Sequence, residues 1–138
     1  MISPFRIVEA DWPNDIALLK TVREAVFVKE QGVPLNLEWD GLDINARHFV
    51  ALDGSYHAIG TVRILINGQV GRMAVLPEWR GKGVGSALLK AAMNTVKGTL
   101  RLNAQATATS FYQRFGFVTE GPPFLDAGIP HRKMVLHR

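Results

Sequence analysis

No cysteine occurs in the chain, which excludes disulfides, thiolate metal sites and a cysteine nucleophile. No apolar run approaches the roughly 20 residues of a bilayer span. The N-terminus lacks the basic-then-apolar pattern of a secretory signal. A cytoplasmic protein without membrane contact is therefore expected. No spacing of histidines and carboxylates fits a metal site, so no metal is expected either. The net charge is +4, but outside "WRGKG" and "HRKMVLHR" the basic residues are scattered. That lacks the dense stripe of a nucleic-acid binder, which argues against such a partner. What remains is an ordinary globular composition: 138 residues, 47% hydrophobic and 20% charged. One domain over residues 1–138 with one core is the expectation.

The periodicity sets the order of elements. "FRIVEA" (5–10) alternates as a short strand. In "WPNDIALLKTVREAVFVKEQG" (12–32), Ile16, Leu19, Val22, Val26 and Phe27 recur at helical steps. This predicts one helix, capped by Asn14 or Asp15 and ended by Gly32. "VPLNLEWDGLDIN" (33–45) has no clean period and carries Glu38, Asp40 and Asp43. It reads as a loop that can hold a short helical turn. Strands at 46–52, 58–66 and 69–76, joined at "DGS" and "NG", form an antiparallel meander. A helix from Val84 to Val96 stops before Gly98, and "TLRLNA" (99–104) alternates as a strand. A short helix over 107–115 ends at Gly116. A brief strand (117–121), a Pro-rich loop (121–130) and a strand (131–137) complete the chain. The strand–helix–strand unit of 69–104 should be a right-handed parallel crossover. The predicted fold class is α/β with a mixed sheet, mostly antiparallel, a central parallel crossover and helices on both faces.

One segment asks for a ligand. "LPEWRGKGVGSALLKAAM" (76–93) sets Gly81, Gly83 and Gly85, with Arg80 and Lys82, at the mouth of an apolar helix. A helix N-terminus carries unpaired N–H groups and partial positive charge, and residues without Cβ let a phosphate reach them. The Walker pattern fails, because Gly83 follows Lys82 and Leu76 stands at the first glycine position. The dinucleotide fingerprint fails at Ser86.

What remains is R-x-x-G-x-G (Arg80, Gly83, Gly85) after V-x-P. It resembles the acetyl-CoA motif of the GCN5-related N-acetyltransferase (GNAT) superfamily. "VREAVFVKEQGVP", "EWDGLD", "ARHFVA", "LNAQATATSFYQRFGF" and "GIPHRKM" resemble its ElaA-like subgroup. The resemblance runs from about residue 5 to 137. It implies that the strand before the loop splays from the next parallel strand and that the pantetheine arm lies between them. Met73, Ala74 and Val75 would then bind the arm through their backbone, and an N–H near Val75 would polarise the thioester carbonyl. Arg80, Gly81, Lys82, Gly83, Val84, Gly85 and Ser86 match the pyrophosphate loop. Asn103 and Gln105 match positions that touch the arm, and Tyr112 matches the usual general acid.

The base is left open. Some members carry a glutamate on the central strand, where "VGRMAV" offers Arg72 and Met73 instead. Glu30, as a buried carboxylate of raised pKa, and His131, on the acceptor side, are the catalytic candidates beside Tyr112. His48 reads more readily as structural, and a water chain would also serve. Without cysteine, direct attack by an amine within a ternary complex is expected. Glu38, Asp40 and Asp43 either attract a cationic amine or form a solvated loop. The leading function is an acetyl-CoA-dependent N-acetyltransferase for a primary amine on a small-molecule or peptide-like acceptor. A non-catalytic acyl-CoA-binding regulatory module is the alternative. A homodimer is compatible with either.

Overall fold

The structure, a computed structural model, describes residues 4–138. Met1–Ser3 of the expected domain lie outside the described residues. The elements are β1 (Phe5–Ala10), α1 (Trp12–Arg23), α2 (Leu35–Glu38), β2 (Arg47–Asp53), β3 (Ala58–Ile64), β4 (Gln69–Val75), α3 (Val84–Met93), β5 (Leu100–Gln105), α4 (Thr109–Gln113), β6 (Val118–Asp126) and β7 (Ile129–Leu136). Among the described residues, seven strands form one sheet in the order β1-β2-β3-β4-β5-β7-β6. Every pairing is antiparallel except β4 with β5. No helix of the described residues is long and apolar enough to cross a membrane.

The sheet is covered on both faces, as expected. Side chains of a strand alternate between faces. On β2, Phe49 and Ala51 join a core with Val84, Leu88 and Ala92 of α3. Their neighbours Val50 and Leu52 join Leu19 and Val22 of α1. Each fully buried valine or leucine among these stabilises the fold by about 1.5–3 kcal/mol. Gly60 lets α3 close in on β3: a Cβ there would sit 2.9 Å from Leu88 Cδ1 and 3.0 Å from Val84 Cγ1.

Three expectations are corrected. The helix of 12–32 is α-helical only to Arg23, then widens into a π-helical turn over Glu24–Glu30, where the Gln31 N–H donates to Val26 O. It starts at Asp11 and not at Asn14 or Asp15. Pro13 suits the first turn, and the Asp11 N–H donates to the Asp15 carboxylate (2.8 Å) while the Asp15 N–H donates to Asp11 O (2.7 Å). Segment 33–45 holds the short helical turn expected of it, α2, and adds a 3₁₀ turn at Asp43–Asn45. The Pro-rich 121–130 is largely strand. β6 runs to Asp126, and Ala127 and Gly128, both with positive φ, turn the chain into β7. Pro122 and Pro123 fit there because β6 is the sheet edge, and its register with β7 shifts between Glu120 and Phe124.

β4 carries its own irregularity. Thr61 pairs with Ala74, but Arg63 pairs with Gly71, so β4 holds one extra residue. Arg72 takes it up with φ 50°, a left-handed backbone uncommon outside glycine.

Candidate active site

β4 and β5 pair only at Gln69↔Arg101 and Val70↔Leu102. Beyond Val70 they part, and a cavity of about 950 Å³ opens along the divergence. The Leu76 N–H donates to Ile59 O on β3. Successive residues of a strand turn their backbone groups to opposite edges, so the Val75 N–H faces the gap.

The glycine loop closes one end. A 3₁₀ turn at Pro77–Trp79 leads to Gly81 (φ 75°) and Gly83 (φ 86°), and Gly83 caps α3. No side chain caps this helix, so its first N–H groups lack an intramolecular acceptor. A Cβ built on Gly81 or Gly83 would meet no atom within 4 Å. The left-handed backbone requires glycine, and the space above it is open. This is a cradle a diphosphate fits.

Met73, Ala74, Val75, Arg80, Gly81, Gly83, Val84, Gly85, Ser86, Asn103, Gln105, Tyr112 and His131 all line this cavity. Lys82 does not; its ammonium lies 5.2 Å over the Trp79 ring. Arg80 lines the cavity with three of its five N–H donors engaged. Its Nε donates to Val75 O at 2.9 Å, and its two terminal nitrogens donate to Glu30 at 2.8 and 2.6 Å.

Glu30 overturns its expectation of burial and raised pKa. It is exposed, outside the cavity lining, and its pKa is lowered by the hydrogen bonds from Arg80. The physical reason is that the π-helical turn ends at Glu30 on the surface, within reach of the loop arginine.

Tyr112 of α4 is buried, edge-on to Phe111 (centroids 5.0 Å) and to Phe117 (6.1 Å). Burial pushes its phenol up to about 12, so it stays protonated at neutral pH. Its hydroxyl has no hydrogen-bond partner among the described residues. His131 of β7 pairs with Gln105 of β5 and stacks on Phe124. Its Nδ1 lies 2.6 Å from Ile129 O. A carbonyl only accepts, so Nδ1 donates, and the neutral ring keeps its lone pair on Nε2. His48 sits elsewhere: its Nε2 donates to Asp43 O at 2.9 Å, it stacks on Trp12, and burial lowers its pKa. It is structural.

Two features were not anticipated. Gln31, after the π-helical turn, and Gln105, at the end of β5, exchange side-chain amide hydrogen bonds of 2.8 and 3.4 Å beside the cavity. The acidic residues of 33–45 form a closed ring with three arginines. Glu38 bridges Arg23 and Arg72, Asp40 bridges Arg72 and Arg63, and Asp43 bridges Arg63 and Arg23. Trp39 lies against the Arg23 guanidinium at 4.5 Å. Burial raises the Glu38 pKa in spite of Arg23 and Arg72. Burial would raise Asp40 too, but hydrogen bonds from Arg63 and the Leu42 amide, with the charge of Arg72, hold it at about 2. Neither alternative, a lure for a cationic amine or a solvated loop, describes these carboxylates: arginines pair with all three, and Glu38 and Asp43 are buried. Each partner comes from a different element, so no local spacing announced the ring.

Fold and cleft together define an acyltransferase that uses an acyl-CoA donor. A family model described as an acetyltransferase (GNAT) domain matches residues 20–138. The uncharacterised N-acetyltransferase YjcF of Bacillus subtilis is 42% identical over 122 residues, covering 83% of this chain and 86% of that one. Among solved structures, an acyl-CoA N-acyltransferase from Pseudomonas aeruginosa superposes with a TM-score of 0.83 at 27% identity, covering 96% of this chain and 99% of its own. Escherichia coli ElaA gives the same TM-score, identity and coverage. The chain belongs to the GNAT acetyltransferase superfamily and is ElaA-like.

Proposed function

We propose that this chain is an N-acetyltransferase that moves an acetyl group from acetyl-CoA directly to a primary amine of a small-molecule or peptide-like acceptor, within a ternary complex. The observation that carries this reading is the parting of β4 and β5 after Val70, with bare glycine amides at the end of the gap. Bound acetyl-CoA supplies the activated thioester. The amides of Gly81, Gly83 and the first turn of α3 would hold the diphosphate. The free edge of Met73, Ala74 and Val75 would take the arm as an added strand, with Asn103 and Gln105 opposite. The Val75 N–H would stabilise negative charge developing on the acyl oxygen. Tyr112, protonated and unpartnered, would give its proton to the departing sulfur. His131 Nε2 would take the proton from the attacking amine, which replaces Glu30 in that role. One sheet joins all seven described strands, which supports a single domain. A chain without cysteine is also suited to the cytoplasm.

Calorimetry with acetyl-CoA, together with thiol release over a panel of amines, tests the reading. Saturable binding and amine-dependent thiol release are expected. Failure to bind acetyl-CoA would overturn the cradle, and binding without release under any amine would overturn the transferase assignment.

A further inference from the structure

Away from the glycine loop, the cavity is walled by Leu37, Leu42 and Leu65 and reaches four members of the ionic ring, Glu38, Asp40, Arg63 and Arg72. The ring is balanced in charge, with three arginines and three carboxylates, but not in hydrogen bonds. Arg72 spends one terminal nitrogen on Leu37 O (3.3 Å), Glu38 O (3.0 Å) and Asp40 Oδ2 (3.1 Å). Its Nε is buried 3.3 Å from Glu38 Oε2 without hydrogen-bond alignment. Its other terminal nitrogen, Nη1, has no acceptor among the described residues and is not buried. Arg63 is 5% exposed, and its Nε also lacks an acceptor. Among the described residues, the buried side-chain atoms without a partner are all arginine Nε, and two of the three belong to this ring. Unpaired buried donors are costly, about 1–3 kcal/mol each. The lining carboxylates Glu38 and Asp40 are already bridged by arginines, and the donors left without acceptors are those of Arg63 and Arg72.

The backbone explains why Arg72 is placed here. Its left-handed bulge sits on the strand that leads to Val75, three residues on. The guanidinium is held by the loop of residues 37–40 and lines the cavity.

We propose that the acceptor carries a carboxylate, held by Arg72, beside its amine, together with an apolar body packed on Leu37, Leu42 and Leu65. It is an amino-acid-like substrate and not a polyamine. This rests on the acetyltransferase reading above. A polyamine would meet carboxylates already bridged by arginines, whereas a carboxylate supplies the acceptor oxygens that the ring lacks.

Matched pairs test it: leucine against isopentylamine, phenylalanine against phenethylamine, 6-aminohexanoate against pentylamine, and spermidine alone. With wild-type protein the acids should be preferred by about tenfold to a hundredfold in kcat/KM, expressed mainly in KM. Arg72→Asn, which tolerates the left-handed backbone, should abolish that preference and leave acetyl-CoA affinity unchanged. Arg72→Lys, which keeps the charge, should retain part of it. Equal or better use of the decarboxylated amines or of spermidine would overturn the proposal, even if the variants fail to fold. So would an undiminished preference in folded Arg72→Asn. If acetyl-CoA binds and no amine is acetylated, the acetyltransferase reading falls, and this proposal with it.

Discussion

Glu30 and Arg80 grip each other through two hydrogen bonds of 2.6 and 2.8 Å, joining the end of the π-helical turn to the glycine loop. Both partners are open to solvent, so the pair adds little to stability. A carboxylate with lowered pKa, tied to an arginine and outside the cavity, is a poor base. Glu30→Gln should keep turnover and acetyl-CoA affinity within about threefold of wild type. A collapse of kcat with binding intact would restore Glu30 to the chemistry.

Tyr112→Phe keeps the ring contacts with Phe111 and Phe117 and deletes only the proton donor. Turnover should fall by about a hundredfold or more, with unchanged acetyl-CoA affinity by calorimetry. Because burial holds the phenol at about 12, its ionisation should not depress the wild-type rate between neutrality and pH 10. Unimpaired turnover in the variant would assign the proton to another group.

Gly83→Val should lose acetyl-CoA binding, because its Cβ would occupy the bare space over the loop. Backbone strain alone could also weaken the protein, and Gly98 provides the control. It has the same φ of 86° with open space around it and does not line the cavity. Gly98→Val should lower Tm to a similar degree and bind acetyl-CoA normally. Equal loss of binding in the two variants would make the effect one of strain.

Asp40 gives the acid limb of stability a defined sign. Its folded pKa of about 2 lies below its ordinary 3.8. Its stabilisation is therefore complete above about 3.8 and drains away as the pH falls toward 2. Glu38, whose pKa is raised, contributes with the opposite sign. Asp40→Asn should lower Tm at neutral pH and flatten the decline between pH 4 and pH 2. Thermal melts across that range check it, and a curve parallel to wild type would remove Asp40 from the acid response.

Much of this was legible in the residues. Asn67–Gly68 fixed the hairpin between β3 and β4, and Arg80, Gly83 and Gly85 marked the loop that caps α3. These signals are local, carried by a turn or one face of a helix. The π-helical turn was hidden because Val26 and Phe27 suit either winding. β6 was hidden because Pro122 and Pro123 signal a loop wherever the edge position of the strand is unknown. The ring was hidden because Arg23, Arg63 and Arg72 meet their carboxylates across 15 to 34 positions of sequence. Charge pairing at such range is a product of the fold.

The closed ring also constrains how this pocket can change over time. Arg23, Glu38 and Asp43 are almost wholly enclosed, and losing one partner of such a pair costs about 3–5 kcal/mol. A lone swap would leave a stranded ion, so drift toward a new acceptor must proceed by compensating double exchanges. Arg72 and Asp40, on the partly wetted side, are the members free to vary first.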